Sequence, residues 1–288
     1  MVVFPEAYIP TYPDWVWAVP AGDGETLDRL YGRLLANSVT IPSQATDDLC
    51  AAARAASAYV VMGMNERNAE ASGSSLYNTL LYIDDQGNIM GKHRKLVPTG
   101  GERLIWAQGD GSTLQVFDTP YGRISGLICW ENYMPLARYT LYAWGVQLYI
   151  ASTWDRGDAW QATIQHIARE GRVHVISSCM TLRLADIPDS LAIKQRFYAQ
   201  ADDWINVGRS AIVNPHGSLI AGPLDGEEGI LYAQIDPREA RGSRSSLDVA
   251  GHYARPDIFE LVVHAGMHPM ISMEYSADET FAASLPDD

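Results

Sequence analysis

Apolar and polar positions along this chain switch between a helical and an extended repeat. Residues 43–58 mix alanine, leucine and charge at helical spacing behind a capping Ser43, and 59–64 follow as a continuous apolar run of strand length; together they predict an αβ unit. Residues 77–83 and 89–93 flank Asp84-Asp85-Gln86-Gly87-Asn88, a turn-rich spacer that predicts a hairpin leading directly into Lys95. A second hairpin is expected from 114–117 through Pro120-Tyr121-Gly122 to 123–128, which delivers Cys129 to a strand end. Residues 135–144 suit a helix closed by Gly145, 146–151 a strand, 159–170 a helix ending at Gly171, and 173–178 a further strand. A third hairpin is read at 211–213 and 218–220 around Asn214-Pro215-His216-Gly217, and one more strand at 229–235. Helices and strands that alternate in this way predict a layered α/β fold.

No internal repeat or interdomain linker interrupts the pattern, so one domain is expected over 1–275, followed by a polar, acidic tail at 276–288. With 288 residues and 47% hydrophobic content the chain can bury a sizeable core. Lysine plus arginine less aspartate plus glutamate is 21 − 35 = −14, a balance that disfavours nucleic acid and anionic membrane as partners. No apolar stretch reaches the roughly 18 to 20 residues that span a bilayer, and no secretory leader pattern opens the chain. Cys50, Cys129 and Cys179 are too few and too scattered for a disulfide framework or a zinc site. A soluble, cytoplasmic protein without a metal is the expectation.

The chemistry concentrates in three segments. Gly126-Leu127-Ile128-Cys129-Trp130-Glu131-Asn132-Tyr133-Met134-Pro135 carries a thiol from an apolar run into a helix-like sequence. Phe4-Pro5-Glu6-Ala7 offers a carboxylate, and His93-Arg94-Lys95-Leu96-Val97-Pro98-Thr99 an ammonium. A thiol with the ordinary pKa of about 8.5 is mostly protonated at neutral pH, so a nucleophilic cysteine needs a base or a positive neighbour.

These segments, in this order, resemble the carbon-nitrogen hydrolases of the nitrilase superfamily, and Cys129-Trp130-Glu131-Asn132 followed by Pro135 resembles the nitrilase branch. The likeness continues through Trp154-Asp155, His166-Ile167-Ala168-Arg169-Glu170-Gly171-Arg172 and the stretch from Asp248 to Asp257. It implies an α-β-β-α sandwich, here without the first β-α unit, since Met1-Val2-Val3-Phe4 reads as the end of a strand. It implies that Glu6 accepts the Cys129 proton, that Lys95 stabilises charge on the substrate nitrogen, and that Glu102 positions Lys95 or the attacking water. The Trp130 N–H would assist as an oxyanion-type donor.

The resemblance further implies hydrolysis of an organic nitrile to a carboxylic acid and ammonia through a thioimidate and a thioester, with no cofactor. It also implies a homo-oligomer, either a dimer or a helical assembly. The alternatives are an amidase or carbamoyl-amide hydrolase with the same triad, and an inactive scaffold that forms oligomers. Tyr12, Trp130 and Trp154 are candidate walls of a substrate pocket. Ser152-Thr153 and Thr11-Tyr12 depart from the family's usual Pro-Thr and Gly-Tyr, which bears on pocket shape. Lys92 is read as a decoy beside Lys95, Glu131 as a structural hydrogen-bonding residue, His166 as a packing or hydrogen-bonding histidine, and Cys50 and Cys179 as core thiols.

Overall fold

The computed structural model of this protein describes residues 1–268 apart from 200 and 202, so the expected boundary at 275 and the tail 276–288 lie outside the described residues. In chain order the strands are β1 (Val2–Val3), β2 (Val60–Arg67), β3 (Leu76–Ile83), β4 (Ile89–Arg94), β5 (Phe117–Thr119), β6 (Gly122–Gly126), β7 (Leu148–Ile150), β8 (His174–Ser177), β9 (Thr181–Arg183), β10 (Trp204–Val213) and β11 (Leu219–Asp225). The helices are α1 (Trp15–Ala18), α2 (Gly24–Asn37), α3 (Gln44–Ala56), α4 (Pro135–Ala143), α5 (Asp158–Gly171), α6 (Ala192–Phe197) and α7 (Pro237–Ser243).

Strands β1, β2, β3 and β4 make one sheet in that order, with β1 parallel to β2 and the other pairs antiparallel. The second sheet runs β11-β10-β8-β7-β6-β5, with β9 also on β10. Its β6-β7-β8 centre is parallel, which requires crossovers; α4 and α5 supply them.

The two faces of β2 and β3 are both apolar, and the two-residue period of a strand sends alternate residues into different layers. Val61, Leu80 and Tyr82 point toward Phe117, Ile124, Leu148 and Ile150 of the second sheet and form the inter-sheet core. Met62, Met64, Leu81 and Ile83 point the other way, onto Cys50 and Ala53 of α3. On the far side, Leu141 of α4 and Trp160, Ile164 and Ile167 of α5 cover the second sheet. The layers are therefore α-β-β-α, as the resemblance implied. Ser43 caps α3, and Ser57 stops it in the left-handed region at φ 48°, where Ala58 N donates to Ala53 O.

Two strand expectations need correction. Residues 229–235 form no strand: Ile230 and Tyr232 are 72% and 82% exposed. A strand needs a ladder partner, and here the chain instead crosses the starts of two strands. Gln147 Nε2 donates to Pro237 O at 2.9 Å, and His174 Nε2 lies 3.3 Å from Asp236 O. The second hairpin also begins late. Gly111–Thr113 forms a 3-10 turn in which Asp110 accepts from Ser112 N, so ladder pairing starts at Phe117. Helices α1, α2, α6 and α7 are not anticipated by the pattern; α2 carries Gly24 and Gly32, which weaken the helical signal. His166 is largely exposed and sits 3.5 Å from Glu170 Oε1 on the same helix.

Candidate active site

The three chemical segments converge where the sheets face each other. Glu6 lies just past β1, in a chain that crosses β2 so closely that a Cβ on Gly63 would stand 1.9 Å from Pro5 O; glycine is what permits that approach. Lys95 follows the last residue of β4, held by donation from its N–H to Asn78 O at 2.8 Å. Cys129 follows β6 and opens a 3-10 turn, Cys129–Tyr133. Its φ of 51° is left-handed, an unusual backbone for a residue with a side chain. The surroundings enforce it: Cys129 N donates to Ser152 O, and Asn132 Nδ2 donates to both Leu127 O and Cys129 O, each at 2.9 Å. Asn132 is in turn fixed by Tyr149 OH and, through its carbonyl, by Arg138.

Lys95 Nζ is wholly buried between two carboxylates, 2.9 Å from Glu6 Oε1 and 2.7 Å from Glu102 Oε2. Burial opposes the charge on Lys95, yet Glu6 and Glu102 outweigh it and raise its pKa further above the ordinary lysine range. Two carboxylates within hydrogen-bond reach thus favour its ammonium form. Glu102 has its other oxygen occupied by Tyr12 OH at 2.7 Å, while Thr99 N donates to Oε2 at 2.7 Å. It is thus committed to holding Lys95.

Glu6 is differently placed. Lys95 and Asn78 both donate to Oε1, the latter at 2.7 Å, while Oε2 is buried with no hydrogen-bond partner among the described residues. Burial raises the Glu6 pKa; Lys95 pulls it back and Glu102 pushes it up again. The result is a carboxylate with one free oxygen and more basicity than usual. Burial also pushes the Cys129 thiol up, with Glu6 adding and Lys95 opposing, so the resting sulfur keeps its proton. Thr153 Oγ1 donates toward Cys129 Sγ at 3.2 Å. A protonated thiol beside a strengthened base fits proton transfer during attack rather than before it.

The aromatic candidates separate. Tyr12 and Trp154 are buried and stacked, with centroids 4.4 Å apart and planes 6° from parallel, and Trp106 meets Tyr12 edge-on. Burial, then the Glu102 charge, raises the Tyr12 phenol well above its ordinary range, so it remains a donor. Trp130 is 51% exposed; its Nε1 donates to Asp155 Oδ2 at 2.7 Å and its ring packs edge-on against Tyr133. Its backbone N–H lies in the first turn of the 3-10 helix, where N–H groups lack an intrahelical acceptor. Lys92 turns away to Glu66, which also takes two bonds from Arg94.

Sequence reasoning assigned no role to Asn78, Thr153 or Asn206. Asn78 sits with Thr79 in the middle of the fully buried β3, and a polar pair inside an apolar strand was the available signal. Thr153 also accepts from Asp155 N, and Asn206 Nδ2 fixes Trp154 O at 2.8 Å. Cys179, expected in the core, is buried as such, and its backbone pairs in a parallel bridge with Thr153, the residue that donates toward Cys129, which puts it beside the site. Cys50, on α3, packs against β2 and β3.

An ammonium clasped by two carboxylates next to a thiol, between the facing sheets of an α-β-β-α frame, is the equipment of a thiol hydrolase. Residues 1–245 match the family model described as Carbon-nitrogen hydrolase, and the chain belongs to that family; it is a hydrolase of carbon-nitrogen bonds. It is 42% identical over 270 residues to an aliphatic nitrilase of Sinorhizobium fredii, covering 91% of this chain and 84% of that one. Against a bifunctional nitrilase/nitrile hydratase of Nicotiana tabacum the identity is 38% over 290 residues, covering 99% and 82%. Among solved structures, Nit3 of Saccharomyces cerevisiae, described as a member of branch 10 of the nitrilase superfamily, superposes with a TM-score of 0.63 at 19% identity, covering 88% of this chain and 82% of that one.

Proposed function

We propose that this protein is a nitrilase that converts an organic nitrile to its carboxylic acid and ammonia. The observation that carries the reading is the buried Glu6–Lys95–Glu102 array acting on the ionisation of Cys129. Similarity to nitrilases over most of the chain supports the nitrile as substrate.

In this reading Cys129 Sγ adds to the nitrile carbon while Glu6 Oε2 takes the thiol proton. Lys95 donates a proton to the nitrogen and recovers one from Glu6, its hydrogen-bond partner, which gives a thioimidate with Glu6 ionised again. Water adds to that carbon with Glu6 as base, both water protons pass by way of Glu6 and Lys95 to the nitrogen, the carbon-nitrogen bond breaks, and ammonia leaves a thioester on Cys129. A second water releases the acid and returns the proton to sulfur. If sulfur leaves instead of ammonia, the product is the amide. Charge that develops on nitrogen meets Lys95 and the Trp130 N–H, and donors placed in advance in a dry site are worth a few kcal/mol each.

Tyr12 and Trp154 wall the substrate chain in this reading, and Trp130 stands at the rim. Three unpaired cysteines suit a reducing cytoplasm, and no helix among the described residues is long and apolar enough to cross a membrane. The same reading extends one carbon-nitrogen hydrolase domain to residue 275. It also takes a second copy of the chain, as a dimer or helical assembly, to cover the exposed Tyr133 and Leu136. The test is a panel of aliphatic, aryl and arylacetyl nitriles and their amides, with acid, amide and ammonia measured separately. Acid plus ammonia from nitriles supports the reading; turnover of amides alone overturns it in favour of an amidase.

A further inference from the structure

Glu131 touches neither Lys95 nor the sulfur, yet its carboxylate joins the two segments that carry them. Oε1 accepts from Leu96 N at 2.7 Å, one residue after Lys95, and Oε2 accepts from Ile128 N at 2.8 Å, one residue before Cys129. His93 Nε2 lies 3.1 Å from Oε1 and 2.9 Å from Oε2. Glu131, His93 and Ile128 are buried, and Leu96 is partly so. One side chain thus bridges the end of β4 in the first sheet and the end of β6 in the second. That is where the ammonium and the thiol must keep a fixed separation.

We infer that Glu131 and His93 form a positioning clamp that sets the distance between Lys95 and Cys129 for the reaction. The hydrogen-bond inventory defines its state. His93 Nδ1 lies 3.2 Å from Thr113 O, a carbonyl that can only accept. Nε2 faces the Glu131 carboxylate, whose two oxygens each already accept from a backbone N–H. Both contacts are satisfied together when the imidazole carries both protons, so the clamp is a buried imidazolium-carboxylate pair. The raised His93 pKa agrees: burial opposes the charge, but Glu131 and the Thr113 carbonyl outweigh it.

Other groups near the pair do not compete for its proton. Lys92 and Arg94, the neighbours of His93 on β4, bond to Glu66. Tyr82 of β3 and Tyr149 of β7 face the Glu131 charge, and burial with that charge holds both phenols protonated.

This inference rests on the Glu6–Lys95–Cys129 reading, and the test separates the two. Glu131→Gln keeps the shape but puts an amide NH2 against Leu96 N–H or Ile128 N–H, a donor against a donor. His93→Leu removes both ring contacts, while His93→Gln keeps a donor toward Glu131. A misplacement of about 1 Å costs on the order of 10²-fold in rate. Glu131→Gln and His93→Leu should therefore lose roughly 10²-fold in kcat with KM changed by less than about threefold, and His93→Gln should regain most of the loss.

The second readout needs no turnover: iodoacetamide labelling of Cys129, located by mass spectrometry, should slow in the first two variants and recover in the third. If no nitrile is turned over, the labelling series alone decides the clamp. Unchanged kcat and unchanged labelling in Glu131→Gln would overturn it. So would equal losses in His93→Leu and His93→Gln, since the rescue is what a clamp predicts and a general packing defect does not. Should Glu131→Gln fail to melt cooperatively, the His93 pair carries the same decision.

Discussion

Asn78 Nδ2 donates to Glu6 Oε1 at 2.7 Å, on the same oxygen that Lys95 holds. Both donors crowd one side of the carboxylate and leave Oε2 buried and without a hydrogen-bond partner among the described residues. Asn78→Leu removes the anchor while keeping the apolar packing of β3. Loss of one hydrogen bond to a charged group is worth about 1.5–3 kcal/mol, so kcat is expected to fall about ten- to a hundredfold. Steady-state kinetics beside a melting curve checks this; a normal kcat would show that Glu6 needs no anchor.

Removing Lys95 strands two buried carboxylates. Breaking a buried ion pair by deleting one partner costs about 3–5 kcal/mol, because the other charge is left uncompensated. Lys95→Met should be destabilised by that order in chemical denaturation, and Lys95→Met with Glu6→Gln and Glu102→Gln should regain much of it. A single variant as stable as wild type would mean that the carboxylates are protonated in the folded protein.

The acid limb of the rate profile reports Glu6. The base works only when ionised, and burial, partly offset by Lys95, places its pKa above the ordinary carboxylate range. Activity is therefore full above that raised pKa and is lost as pH falls through it. The acid limb of kcat/KM in the free enzyme should lie above about 4.3, the unperturbed glutamate value. A limb below that value contradicts the assignment.

Tyr12→Phe keeps the stack on Trp154 but removes the donor to Glu102 Oε1. Glu102 then holds Lys95 less firmly. About tenfold in kcat is expected from one such bond, with KM little changed; an effect on KM alone would make Tyr12 a pocket wall without a part in placing Lys95.

Much of this site was legible in the sequence because its chemistry is local to short segments. Glu6, Lys95 and Cys129 each follow closely on a strand read from the pattern, and a strand end is where a side chain can leave the ladder and face a site. The β2–β3–β4 meander and the β6-α4-β7-α5-β8 succession were readable because they depend on near-neighbour periodicity. Residues 229–235 misled because their alternation is real but serves a crossing segment, a choice made by tertiary contacts at Asp236 and Pro237. The roles of Asn78, Thr153 and Asn206 were not assigned for a related reason: each acts on a partner 24 to 72 positions away, and no local period encodes such a pairing.

The central claim is that Cys129 bonds covalently to the nitrile carbon. Rapid quenching of the enzyme with a turned-over nitrile, followed by peptide mass mapping, should show the acyl or imidate adduct on Cys129, and pure Cys129→Ala should fold normally, carry no adduct and release no ammonia. Ammonia release by Cys129→Ala at a rate near that of wild type would contradict the account.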